Sequence, residues 1–170
     1  MQEIIQVLVD EHEKIYAFTE ELERKCIDFM ENDVFDIDAS RQDIRFIRVF
    51  ADARHHKKEE DILFRAMLEK LGRIAENLVR HGMLVEHDTA RLHVYEWEKA
   101  LDSYEQNPNP KDKLCIIANA MGYAYLLRRH IDKENGVVYP YAEKNLDANL
   151  MEELNREARE YDEKHKDDVI

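Results

Sequence analysis

Four glycines and three prolines are all that this chain of 170 residues contains, where average usage would put the two together at roughly 12%. A sheet protein needs turn residues about every 8–12 positions, so the chain is expected to be all-helical. Charge narrows its partners. With 25 Lys+Arg against 38 Asp+Glu, the net charge is −13, and a surface so acidic repels phosphate backbones and anionic lipid. Nucleic acid and membrane are therefore set aside as partners. Cys26 and Cys115 are too few and too far apart for a disulfide framework or a paired-cysteine metal site. No apolar run approaches the ~20 residues of a membrane span. The first residues, MQEIIQVLVDEHEK, are acidic and amphipathic, unlike a basic and then apolar leader. A cytoplasmic, reducing setting is the expectation.

Polar or turn-rich stretches divide the sequence at 31–40, around Gly72 and at 102–113, the last carrying Pro108 and Pro110. Asp38 and Ser40 are the candidate N-caps of the segment after the first break, since their side chains accept from free backbone N–H groups. Four long helical candidates remain, at about 2–29, 41–71, 74–104 and 112–144, with a shorter amphipathic one at about 148–165. Long helices with short connections are expected to pack as an up-down-up-down four-helix bundle. Residues 1–145 form that domain in this reading, and 146–170 a C-terminal amphipathic helix and tail.

Projection at about 100° per residue locates the buried stripe of each candidate. The first aligns Ile5, Leu8, Val9, Ile15, Thr19 and Cys26 around His12. The second aligns Ile44, Ile47, Ala51, Ile62 and Ala66 with His55 and Glu59. The third sets His87 among Met83, Leu84, Ala90, Val94 and Leu101, and the fourth sets His130 and Glu134 among Ile116, Tyr123, Leu126, Val137 and Tyr141. Each stripe thus carries one histidine, and two add a glutamate one turn later. Counted from the helix ends at ~1.5 Å per residue, the four histidines fall at one height within about a turn. A single histidine on an apolar stripe is more often a hydrogen-bonded core residue than a ligand. Four in one layer are not so explained, because buried carboxylates are costly unless paired or bound to a cation. Two carboxylates ringed by four imidazoles make a coordination sphere for two metals, and imidazole with carboxylate suits iron, manganese or zinc.

The segments LVDEHEKI (8–15), FADARHHKKEEDILF (50–64), GMLVEHDTAR (82–91) and LLRRHIDKENGVVYPYAE (126–143) resemble those of hemerythrin-like proteins of the HHE cation-binding family. The resemblance covers about residues 1–145, and its most specific part is His-x3-Glu followed by an aromatic-Pro pair. It implies a four-helix bundle holding two non-haem irons, bridged by two carboxylates and an oxo or hydroxo group. The expected ligands are His12, His55, Glu59, His87, His130 and Glu134. The second helix also offers His56 and Glu60 as alternatives. Aligning HHKKEEDILF with HIDKENGVVY pairs His55 with His130 and Glu59 with Glu134, and the projection turns His56 and Glu60 about 100° off the stripe. These two are read as solvated or as lying behind the ligands. The family's oxygen carriers have a further histidine one turn before the third-helix ligand, where this chain has Met83. A site of four histidines and two glutamates would leave an open position on both metals.

Tyr16, four residues after His12, and Tyr123, seven before His130, could each face the metals or pack in the core, and packing is preferred. Arg91, four after His87, either neutralises site charge or reaches outward. Leu8, Leu84, Leu126 and Val137 are expected to wall off water. The resemblance implies a protein that binds dioxygen, or nitric oxide or peroxide, with electrons supplied through a redox partner. Turnover of peroxide or nitric oxide would make it an oxidoreductase. The alternative is an iron or redox sensor, or a partner-binding module, in which metal occupancy is structural.

Overall fold

In the computed structural model, which describes residues 2–166, the chain is helical almost throughout. Five helices follow one another among the described residues: α1 (Glu3–Asn32), α2 (37–70), α3 (72–106), α4 (110–145) and α5 (Ala148–Lys164). Residue 1 and residues 167–170, at the outer ends of the two expected segments, lie outside the described residues. No described helix is long and apolar enough to cross a membrane.

Local chemistry sets the breaks. Asp33 closes α1 in the left-handed region, φ 52°. The second helix begins earlier than expected, with Asp36 as its cap, accepting from the Ala39 N–H at 3.0 Å. Asp38 falls in the first turn, where a carboxylate favours the helix dipole. Ser40 is buried, and its Oγ accepts from the Trp97 indole at 3.1 Å. Leu71 separates α2 from α3, and Gly72, which opens α3, holds φ +62°, a conformation that costs glycine little. Asn109 caps α4 with Pro110 in the first turn, and Asp147 caps α5.

Three of the long helices do not keep one period. Widened π turns interrupt α2 at Ile47–His56 and Glu59–Phe64, α3 at Val79–Met83 and α4 at Glu134–Val138. Such i→i+5 turns shift every later side chain relative to a 3.6-residue projection. The effect is plain in α4. Val137, expected on the buried stripe, is 52% exposed, while Val138 is 1% exposed.

The four long helices pack in a ring, α1 against α2 and α4, and α3 against α2 and α4, while α5 lies on α1 and α2. The core is two apolar clusters rather than one. The first contains Ile15, Leu22, Phe29, Phe50, Trp97 and Leu127; the second contains Ile5, Leu8, Leu63, Met67, Val79 and Tyr139. Along α1 and α3 the second cluster precedes the first; along α2 and α4 the order is reversed. Between them, in each long helix, lies a buried histidine.

Candidate metal centre

Seven side chains from the four long helices meet in this layer. His12 comes from α1, His55, His56 and Glu59 from α2, His87 from α3, and His130 and Glu134 from α4; all are buried. They form two groups whose ligand-type atoms lie within 4.8 Å of one another: His56, Glu59, His87 and His130, and His12, His55, Glu59 and Glu134. Glu59 is common to both. Its Oε2 sits 3.6 Å from His55 Nε2 and 3.5 Å from His87 Nε2. Glu134 Oε2 lies 3.2 Å from His12 Nε2 and 3.1 Å from His130 Nε2.

The structure brings together the six residues expected from the sequence and adds His56. The projection had turned His56 outward, with His55 facing in. Because both close a π segment, the widened turn lets neighbouring residues straddle the buried face. His56 stacks on His87 with ring centroids 3.9 Å apart. The pattern of one histidine per helix is thereby corrected to five histidines, the fifth supplied by α2 rather than at Met83, which packs in the second apolar cluster. Glu60 is neither solvated nor in the centre. Its Oε1 lies 2.9 Å behind the ring of His87, at Nδ1.

Four of the imidazoles, those of His12, His55, His87 and His130, turn Nε2 inward and meet a hydrogen-bonding oxygen at Nδ1. His12 faces Asn135 Oδ1 at 2.9 Å, His55 faces Glu11 Oε2 at 3.0 Å, and His130 faces Glu86 Oε2 at 2.9 Å. His56 Nδ1 stands 3.4 Å from Asp52 Oδ1. An acceptor at Nδ1 keeps the proton there and leaves Nε2 a lone pair, the tautomer a metal requires. Arg91 neutralises charge, as one of its two readings held. It donates to Asp52 at 2.9 Å and to Glu60 at 2.7 Å, the oxygens behind His56 and His87. Nothing in the sequence pattern points to Asp52, Glu86, Glu11 or Asn135 in these places, for each pairing joins different helices or lies off the stripes.

The other named residues divide. Tyr16 is 38% exposed and lies beside Arg128, away from the layer. Tyr123 is buried, its hydroxyl without a hydrogen-bond partner. With His56, Ile47, Val94 and Arg91 it lines a cavity of about 190 Å³. Tyr139 was visible only as part of the aromatic-Pro pair. Its ring stacks on His12, and its hydroxyl donates to Glu59 Oε1 at 2.5 Å. Of the expected apolar wall, Leu8 is buried, Leu84 and Leu126 are partly buried, and Val138 takes the place of Val137.

The electrostatics are those of groups without their counter-charge. Burial and the neighbouring Glu134 hold the Glu59 carboxyl well above the usual range. Glu134 is held well below it, because His130 and His12 outweigh the cost of burial. Burial and the other imidazoles push His55 far down and His56 to about 3. His130 goes the other way, to about 9, since Glu134 and Glu86 outweigh its burial. Asp52, despite burial, is brought to about 2 by His56 and Arg91.

Buried polar atoms almost always find partners. Here His55 Nε2, His56 Nε2, Glu59 Oε2 and both Glu134 oxygens have none, and His87 Nε2 faces His130 Nε2 at only 3.1 Å. Lone pairs converging from imidazoles and carboxylates in a dry layer call for cations. The fold and this layer together define a helical, cation-binding protein. A model of the hemerythrin HHE cation binding domain matches residues 3–142, and the chain belongs to that family. A search of curated proteins finds no match. The matched region ends within α4 and does not reach α5.

Proposed function

We propose that this chain is a non-haem di-iron protein that binds dioxygen, or nitric oxide or peroxide, in the cytoplasm. One observation carries the reading: two donor groups share a single carboxylate, Glu59. His56, His87 and His130 would hold one iron, His12, His55 and Glu134 the other, with Glu59 common to both. Manganese or zinc would suit the same donors. The reversed order of the two apolar clusters along successive helices supports an up-down-up-down arrangement. When bound, an iron pair supplies reducing electrons to a small ligand, replenished by a redox partner.

The protein's own contribution is positional. Nδ1 acceptors hold four of the imidazoles in the ligating tautomer, and Asp52 stands at the fifth. Tyr139 fixes Glu59 by its hydrogen bond. Each group offers four donors, with Glu59 counted in both, and Tyr139 places its hydroxyl beside His12 and Glu59. Leu8 and Val138 are buried in the same apolar cluster as Tyr139.

The test is metal content by mass spectrometry on protein from iron-supplemented cells. About two irons per chain are expected, and Glu59→Ala should remove most of both because it strips a ligand from each group. A visible spectrum unchanged when the reduced, loaded protein meets air would refute dioxygen binding. The divided core favours a second reading, an iron sensor in which occupancy mainly stabilises the bundle. It would show as a large metal-dependent rise in melting temperature without spectral response to dioxygen, nitric oxide or peroxide.

A further inference from the structure

Among the described residues Lys58 is the largest charged side chain that is buried, at 0% exposure, and it is not among the expected ligands. Burial of an ammonium is tolerated only with close counter-charges. Two carboxylates provide them, Glu11 at 2.7 Å and Asp162 at 2.6 Å. Glu11 is also the acceptor behind His55. Asp162 belongs to α5, outside the family-matched region. Arg54 approaches the same two carboxylates, at 3.5 and 3.6 Å. The preceding residue of α5 repeats the connection, since the Tyr161 hydroxyl donates at 2.5 Å to the Ala53 carbonyl, within the π segment that ends on His55 and His56.

Docking of α5 does not need this arrangement. Met151, Leu154 and Ala158 already bury an apolar face, Asn155 accepts from the Ile4 N–H at 2.9 Å, and Arg65 pairs with Glu157 at 2.6 Å. A buried lysine between two helices and a ligand-backing carboxylate adds cost to that interface without adding apolar area. What it adds is connection.

We propose that the C-terminal helix is part of the metal centre, with Asp162 acting through Lys58 and Glu11 as a positioning residue for the His55 ring, so that metal occupancy and docking of α5 are linked. The proposal rests on the ligand reading above. Linkage is reciprocal: a helix that steadies His55 strengthens metal binding, and bound metal steadies the helix by the same factor. A surface able to release α5 when metal is lost would report occupancy to the outside of the bundle.

The experiment uses the full chain, cobalt(II) as the metal, and hydrogen exchange of the α5 amides with and without it. Asp162→Asn keeps size and an acceptor oxygen while removing the charge. Arg159→Ala is the control, because Arg159 pairs with Glu3 at the surface and touches no part of the chain from Asp162 to His55. Cobalt should slow α5 exchange about tenfold in the parent and in Arg159→Ala. In Asp162→Asn it should bind on the order of 10-fold more weakly, with an altered visible absorption and little added protection of α5. A parent protein that binds no cobalt would overturn the ligand reading itself. Cobalt binding with indifferent α5 exchange, a parent-like Asp162→Asn, or an equal loss in Arg159→Ala would each overturn the linkage alone.

Discussion

His55 and His56 are neighbours in the chain, yet both present nitrogen to the same buried layer, and that fact separates their variants from those of Glu60. His56→Ala removes one of three imidazoles from its group and should cut affinity for one of two metals by about 100-fold. Glu60→Gln keeps an oxygen behind His87 and should cost tenfold or less. Equilibrium titration with zinc checks both. Protons give a second expectation. Metal-free His130, held up to about 9, carries a proton at pH 7, and Glu59 is raised as well. Metal must displace the His130 proton, so binding at pH 7 should release protons and apparent affinity should climb as pH rises towards 9. Calorimetric titrations in two buffers of different ionisation enthalpy measure that release.

A helix that changes period changes which face is buried. The π turn at Glu134–Val138 begins on an expected ligand, and the first of the two in α2 ends on His55 and His56, so these widened turns sit where donors converge. In α4 the turn displaces its residues from the simple projection, which is why Val138 replaced Val137 while Ile116 and Tyr123, earlier in the helix, fell where expected. Val138→Ala should therefore cost about 2 kcal/mol through a cavity in the second cluster. Val137→Ala should stay within about 0.5 kcal/mol. Thermal or urea unfolding of the pair of variants checks the register directly.

Across the whole molecule, a polar layer divides the apolar core, and stability depends on its charge state. His55 and His56 have pKa values depressed by folding. Their contribution is fully present above the unfolded value of about 6.5 and is lost as pH falls below it, for His56 toward about 3, where the buried ring must accept a proton. Chelator-treated protein should lose melting temperature steadily below pH 6.5, and saturating metal at pH 7 should raise it. Local periodicity is enough to read an all-helical chain, breaks near Gly72 and Pro108, and the height at which His12, His87 and His130 enter their stripes. Capping and the 3.6-residue period are properties of neighbouring residues, so they are legible without a fold. Packing settles the rest. Four helices closing on one layer reward π turns that no local pattern announces, and those turns brought His56 inward. Oxygens behind the rings, Glu11 for His55 and Glu86 for His130, come from helices more than forty residues away. Such pairings exist only once the chain has packed, because the cost of burying each charge is met by a partner that sequence distance does not reveal.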